Sequence, residues 1–253
     1  MLVHSRRLCA PMRAAFTLVE LLIVIGIIGL LMSLLMPALS KARRTADRAK
    51  CLANIRNMAL AHCMYVNDNN GHIIQAGLAH GGMHGNEDVA WINTLQRYYQ
   101  VPLLRRCPSD TSVHWATDLG GEGVPVPGSG GSQFRRSSYG INNFLDKELC
   151  PWGGPYVKIT QIRRTAAVIH FLEMPYAGPY AGSDHVHVET WFLHPMPPAK
   201  ASEQMQINAH GGQPRSWSGV ANYGFLDGHA ESLPFREVFV DINRNRFDPL
   251  VAH

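Results

Sequence analysis

Thirteen histidines and five cysteines, in a chain of 253 residues, are the side chains best suited to chemistry. His185 and His187 are two residues apart, so in an extended segment both imidazoles point to one face and could share a transition-metal ion. His210, Asp227 and His229 form a second candidate group. Neither group has further ligands at a spacing that completes a recognisable site, and Asp227 is already accounted for by a turn signal. The five residues therefore stand as metal candidates only. No Gly-x-Ser-x-Gly elbow, nucleotide-binding glycine loop or His-Glu-x-x-His pair occurs. The expectation is a protein that is not an enzyme, with no catalytic residue and no cofactor.

Cys9 lies among the first fifteen residues, which leaves Cys51, Cys63, Cys107 and Cys150 with three possible pairings. Cys51 and Cys63 fall on one expected helix, where twelve residues span about 18 Å. A disulfide needs Cα atoms within about 7 Å, so that pairing is removed and two stay open.

The elements that must carry these groups follow from charge and hydropathy. The net charge of +4 is local: nine of the 23 basic residues, but only two of the 19 acidic ones, precede Asp68. From Asp68 onward the chain is mildly acidic, and no nucleic-acid partner is expected. Arg6, Arg7 and Arg13 precede, and Lys41, Arg43, Arg44, Arg48, Lys50 and Arg56 follow, the run FTLVELLIVIGIIGLLMSLLMPAL from Phe16 to Leu39. These 24 residues, at about 1.5 Å each, span the roughly 30 Å hydrocarbon core. The run exceeds the apolar core of a cleavable secretory signal and lacks an Ala-x-Ala exit. Glu20 is its one ionisable residue. A carboxylate inside a membrane helix is costly and is kept for a partner or a function. Pro37 removes a backbone hydrogen bond and bends the helix that contains it.

Beyond Pro37, Ala42, Ala46, Ala49, Leu52, Ile55, Ala59, Cys63 and Val66 recur at helical spacing, which predicts one helix from Phe16 to about Tyr65, stopped by VNDNNG from Val66 to Gly71. The remainder reads as a sheet packed on this stalk with long loops. Trp91 to Tyr99 is a candidate short helix, and Gly120 to Ser132 a flexible surface loop. Candidate strands are Ala166 to Leu172, His185 to Leu193, Val220 to Leu226 and His229 to Phe235, the last two forming a hairpin about a two-residue Asp227-Gly228 turn.

Ala15, Phe16, Thr17, Leu18, Val19 and Glu20, behind a short basic leader and before a long apolar helix, resemble the type IV pilin and type II secretion pseudopilin family. The resemblance implies an α+β, pilin-like fold with a long N-terminal helix on an antiparallel sheet. It divides the chain into a leader (1–15), a transmembrane helix (16–39), an amphipathic stalk (40–67) and a β-rich extracytoplasmic head (68–253). It implies cleavage by prepilin peptidase between Ala15, where the family usually has Gly, and Phe16, whose new amino group is then methylated. Glu20 is expected to meet the N-terminal amine of an adjacent subunit, and Pro37 matches a helix-kinking proline common in such anchors. The implied location is the cytoplasmic (inner) membrane, spanned once with the head outside. Counting Lys and Arg alone would favour the opposite orientation, and here the motif sets the expectation.

CLANIRNMALAHCMYVNDNNG, RRCPSD, SSYGINN and a C-terminal His before Asp-Gly-His resemble a pseudopilin-like subgroup, although His210 and Asp227 are separated by more residues than its pattern has. This resemblance favours a Cys51–Cys107 disulfide, with Cys63–Cys150 following. Some pseudopilin heads bind calcium, for which Asn222, Asp227 or the Asp241 to Asp248 segment would supply oxygens. The expected function is a structural subunit assembled through its helix with other pilin-like subunits into a pilus or pseudopilus. The alternative is a membrane-tethered binding or metal-dependent enzymatic head that forms no filament.

Overall fold

The computed structural model describes residues 18–76, 90–99, 105–131, 133–147, 149–150 and 156–253. Ala15 and Phe16, and with them the expected cleavage point, lie outside the described residues, as do the leader arginines and Cys9. The chain divides into two compact units, Met1–Arg43 and Arg44–His253, and helix α1 (Leu18–Asp68) runs through both.

In the first unit, every residue from Leu18 to Arg43 is exposed. The helix is long and apolar enough there to cross a membrane once, by length and composition. Pro37 lies inside it, and Glu20 in its first described turn.

In the second unit, α1 continues to Asp68, three residues past the expected end. Asn70 and Gly71 then take φ of 54° and 81°, a left-handed exit that stops the helix. After it come α2 (Trp91–Leu95), β1 (Tyr139–Asn142), β2 (Ile169–Glu173), β3 (His185–Val186), α3 (Glu189–Phe192), α4 (Pro197–Gln204), β4 (Val220–Phe225), β5 (Ala230–Pro234), α5 (Phe235–Val238), β6 (Phe239–Asp241) and β7 (Arg244–Asn245). Five strands form one sheet in the order β3-β1-β2-β4-β5. It is antiparallel except for the parallel edge pair of β1 and β3, so the sheet is mixed rather than wholly antiparallel.

The sheet has a core on each face. The stalk residues Cys51, Ile55, Met58, Ala59 and Ala61 pack with Trp91, Tyr139, Ile141 and Phe171. On the other face, Trp191 is ringed by Phe235, Phe239 and Phe247 at centroid distances of 6.0, 5.7 and 5.4 Å. A bulge in β2 divides these cores: Ile169 pairs with Phe225 and Phe171 with Gly224, leaving His170 as the extra residue. Ile169 therefore belongs to the aromatic core and Phe171 to the stalk core, although in a regular strand they would share a face. The stalk also approaches β4 closely, because a Cβ on Gly224 would lie 2.7 Å from Ile55 Cγ2.

Several expectations change in detail. The buried stripe of the stalk begins at Cys51, whereas Ala42, Ala46 and Ala49 are exposed, because helical periodicity does not mark where the head begins to cover the helix. The His185 to Leu193 strand stops at Val186 and becomes α3. Gln204 Oε1 and Asn143 Oδ1 accept from the amides of His187 and Val188, so those donors are not left for a strand ladder. Only Trp91–Leu95 of the candidate short helix is helical. Gly120 to Gly131 lies largely at the surface, as expected, and is fastened at two points: Val126 and Ser129 are buried, and Val126 N donates to Gln133 O. The hairpin forms as expected, but with a three-residue connection, since Phe225 N donates to His229 O and Gly228 N to Phe225 O.

The bulge brings His170 against His62 of the stalk, with ring centroids 4.4 Å apart. Both rings are buried. Burial pulls the His62 pKa down to about 3. Burial, and then the neighbouring His62, holds His170 well below the ordinary imidazole range. Both must stay neutral in the folded head, so stability is complete above pH about 6.5 and is lost as pH falls from there toward the folded values. Denaturant unfolding at pH 7.5 and pH 5 is expected to differ by about 2 kcal/mol per histidine, and His170→Leu should remove roughly half of that difference. Gly224→Val should lower head stability by about 1–3 kcal/mol in thermal unfolding, because the added methyls meet Ile55 and Phe171.

Candidate functional site

Cys51 on the stalk and Cys107 on the loop before β1 are joined by a disulfide, with Cα atoms 5.1 Å apart and a sequence separation of 56. In the chain-entropy account a closed loop of that length contributes about 4 kcal/mol. Cys63 and Cys150 form no disulfide, which corrects the second expected pair. Cys63 Sγ instead lies 3.7 Å from Leu226 O, its thiol pKa raised first by burial and then by Asp227, while Cys150 packs on the aromatic core.

The loop of Cys107 is fastened by the two segments that stand out in the sequence. In RRCPSD and SSYGINN, Ser138 N donates to Arg105 O, Cys107 N donates to Ser138 Oγ (2.8 Å), and Ser138 Oγ donates to Asp110 Oδ2 (2.6 Å). Asp110 Oδ2 also accepts from Arg135 Nε at 2.7 Å. The rest of that guanidinium donates to Pro175 O, Ala181 O and Met174 O. Both ends of this ion pair are wholly buried. Asn142 and Asn143 are likewise structural: Asn142 Nδ2 donates to Ile169 O and Phe247 O, and Asn143 Nδ2 to Glu189.

Beside the disulfide lies the most chemically loaded cluster of the head. Glu173 ends β2, fully buried. His210 Nε2 donates to its Oε1 at 2.8 Å, and Asn222 N donates to its Oε2 at 2.9 Å. Ligand atoms of Cys51, Cys107, Glu173 and His210 all lie within 4.8 Å of one another. Burial, followed by the Glu173 charge, pushes the Tyr139 and Tyr223 pKa values upward. A cleft of about 460 Å3, lined by Arg44, Asp47, Pro108, Ser109 and Asn208 among others, reaches His210.

The structure separates the expected histidine group. His210 N donates to Val220 O at the start of β4, whereas Asp227 and His229 sit at the turn beyond its other end. Asp227 Oδ1 there accepts from His229 Nδ1 and N, closing the hairpin. His185 and His187 are neighbours, ring centroids 5.1 Å apart, each against its own carboxylate: Asp184 at 2.8 Å and Glu189 at 3.0 Å. In the Asp241 to Asp248 segment, Asp241 Oδ1, Asn245 Oδ1 and Asp248 Oδ1 accept from the segment's own backbone and from Leu250 N. Asn222 Oδ1 accepts from Ser232 Oγ. Sequence reading missed Glu173, Asp110 and Arg135; the signal for Glu173 was a carboxylate ending the apolar run AVIHFL.

Residues 11–36 match the family model described as the prokaryotic N-terminal methylation motif. The match includes Ala15, Phe16 and Glu20, ends one residue before Pro37, and supports the pilin and pseudopilin resemblance over that segment. A search of curated proteins and a search of solved structures each gave no match.

Asp110→Ala strands the buried Arg135 guanidinium and removes the Ser138 acceptor. It should cost about 3–5 kcal/mol, read as a lower unfolding midpoint with the Cys51–Cys107 bond still formed.

Proposed function

We propose that this chain is a pilin-like structural subunit, cut by prepilin peptidase between Ala15 and Phe16, methylated on Phe16, and assembled with other pilin-like subunits through its N-terminal helix. The observation that carries this reading is the match of residues 11–36 to the N-terminal methylation motif, whose described part, from Leu18, lies on a helix with its large apolar residues exposed from Leu18 through Leu39. An exposed apolar stretch of that extent calls for cover, from lipid before assembly and from neighbouring helices after it. Glu20 pairs with the N-terminal amine of the next subunit and sets the axial register. The head stands on the extracytoplasmic side of the inner membrane, where the Cys51–Cys107 bond persists. Its role is display and packing rather than catalysis, with no cofactor required.

The test is the N-terminal sequence and mass of the chain recovered from membranes of cells expressing a prepilin peptidase. A mature chain beginning at methylated Phe16 is expected; an intact Met1, or a cut beyond Leu39, overturns the reading. Glu20→Val should abolish recovery in sheared filaments while the Cys51–Cys107 bond and the unfolding midpoint of the head stay unchanged.

A further inference from the structure

We propose that Cys51, Cys107, Glu173 and His210 form a latent zinc-type metal site, closed while the two sulfurs are bonded to each other and opened when that bond is reduced. Four donors come from four separate parts of the fold: the stalk, the loop before β1, the end of β2 and the segment before β4. Their ligand atoms already converge within 4.8 Å. Around a tetrahedral ion with bonds of about 2.3 Å to sulfur and about 2.0–2.1 Å to nitrogen or oxygen, the donors stand roughly 3.3–3.8 Å apart. The sulfurs must part by less than about 2 Å to reach that spacing from a disulfide. Glu173 and His210, now 2.8 Å apart, open by about half an ångström.

The surroundings fit a metal centre. Two thiolates, a carboxylate and an imidazole are a donor set suited to zinc. The donors are anchored from behind, as metal ligands usually are: Asn222 N holds Glu173 Oε2, Ser138 Oγ holds Cys107 N, and Val220 O holds His210 N. The cleft lined by Arg44, Asp47, Ser109 and His210 supplies an entry path. Reduction by a dithiol transfers two electrons to the S–S bond and oxidises the dithiol to its own disulfide. The two Cys thiols formed then release two protons as the ion binds. The ion would tie the stalk to the Cys107 loop, as the disulfide does, and also to the end of β2 and the segment before β4, and so hold the head together while its cysteines are reduced.

The test uses the full chain in detergent with Cys9, Cys63 and Cys150 changed to Ser, reduced with a phosphine and titrated anaerobically with Co2+, then Zn2+. One cobalt per chain is expected, with thiolate-to-cobalt charge-transfer bands and the strong visible bands of a tetrahedral ion. The oxidised chain should show neither, and Zn2+ should raise the unfolding midpoint of the reduced chain alone. His210→Ala should weaken binding at least about tenfold. His210→Cys, which keeps a ligand, should restore binding with added charge-transfer intensity. The proposal is overturned if the reduced chain takes up no cobalt, folded or unfolded. It is also overturned if a Cys51→Ser/Cys107→Ser chain binds cobalt equally well, or if neither His210 variant changes the spectrum.

Discussion

The docking of the stalk against the sheet is the contact on which the rest of the head depends, and three devices enforce it at different points along the helix. Where the covered stretch of the helix begins, Cys51 is bonded to Cys107 and Asn222 Nδ2 donates to Arg48 O. In its middle, Ile55 sits over Gly224, which lacks the side chain that would hold the helix off. Toward its end, His62 meets His170, and Ile74 N donates to His62 Nε2 at 3.3 Å. Each device needs a different part of the head to be in place, so the stalk and sheet are expected to form cooperatively rather than in sequence.

The Cys107 loop makes that docking specific. A disulfide fixes two Cα atoms but not the loop around them. The Ser138, Asp110 and Arg135 network fixes the loop by fastening it to β1 on one side and to the segment after β2 on the other. Arg135 satisfies its buried charge with one carboxylate and three carbonyls, the arrangement under which a buried ion pair is tolerated. Removing one member leaves the others buried without their partners, which is why a network of few residues can govern a large surface.

How far this was legible in the sequence depended on the range of the interactions. The anchor was readable from an apolar run with one carboxylate, and the hairpin from Asp227-Gly228, because both signals lie within neighbouring residues. β1 was not recognised as a strand: Tyr-Gly-Ile-Asn has little strand pattern, and its place is set by pairing with β2 and by Asn142 bonding to Ile169 and Phe247. The bulge at His170 was hidden for the same reason, since an extra residue in one strand is defined only by its partner. Alternation in HVHVETWFL suggested a long strand, yet side chains of Asn143 and Gln204 took the amides of Val188 and His187. The Glu173–His210 pair joins residues 37 apart across the sheet, and no local spacing could announce it.

The borders of the sheet carry a consequence of their own. One border is β3, only two residues long. The other is β5, which bears the charged Glu231 and ends in Pro234, a residue with no amide hydrogen to offer. Neither border is a good template for another chain to extend by backbone hydrogen bonding. Many copies of this head can therefore be held at high local density without fusing edge to edge into a continuous cross-β stack, and contacts between them are left to side chains.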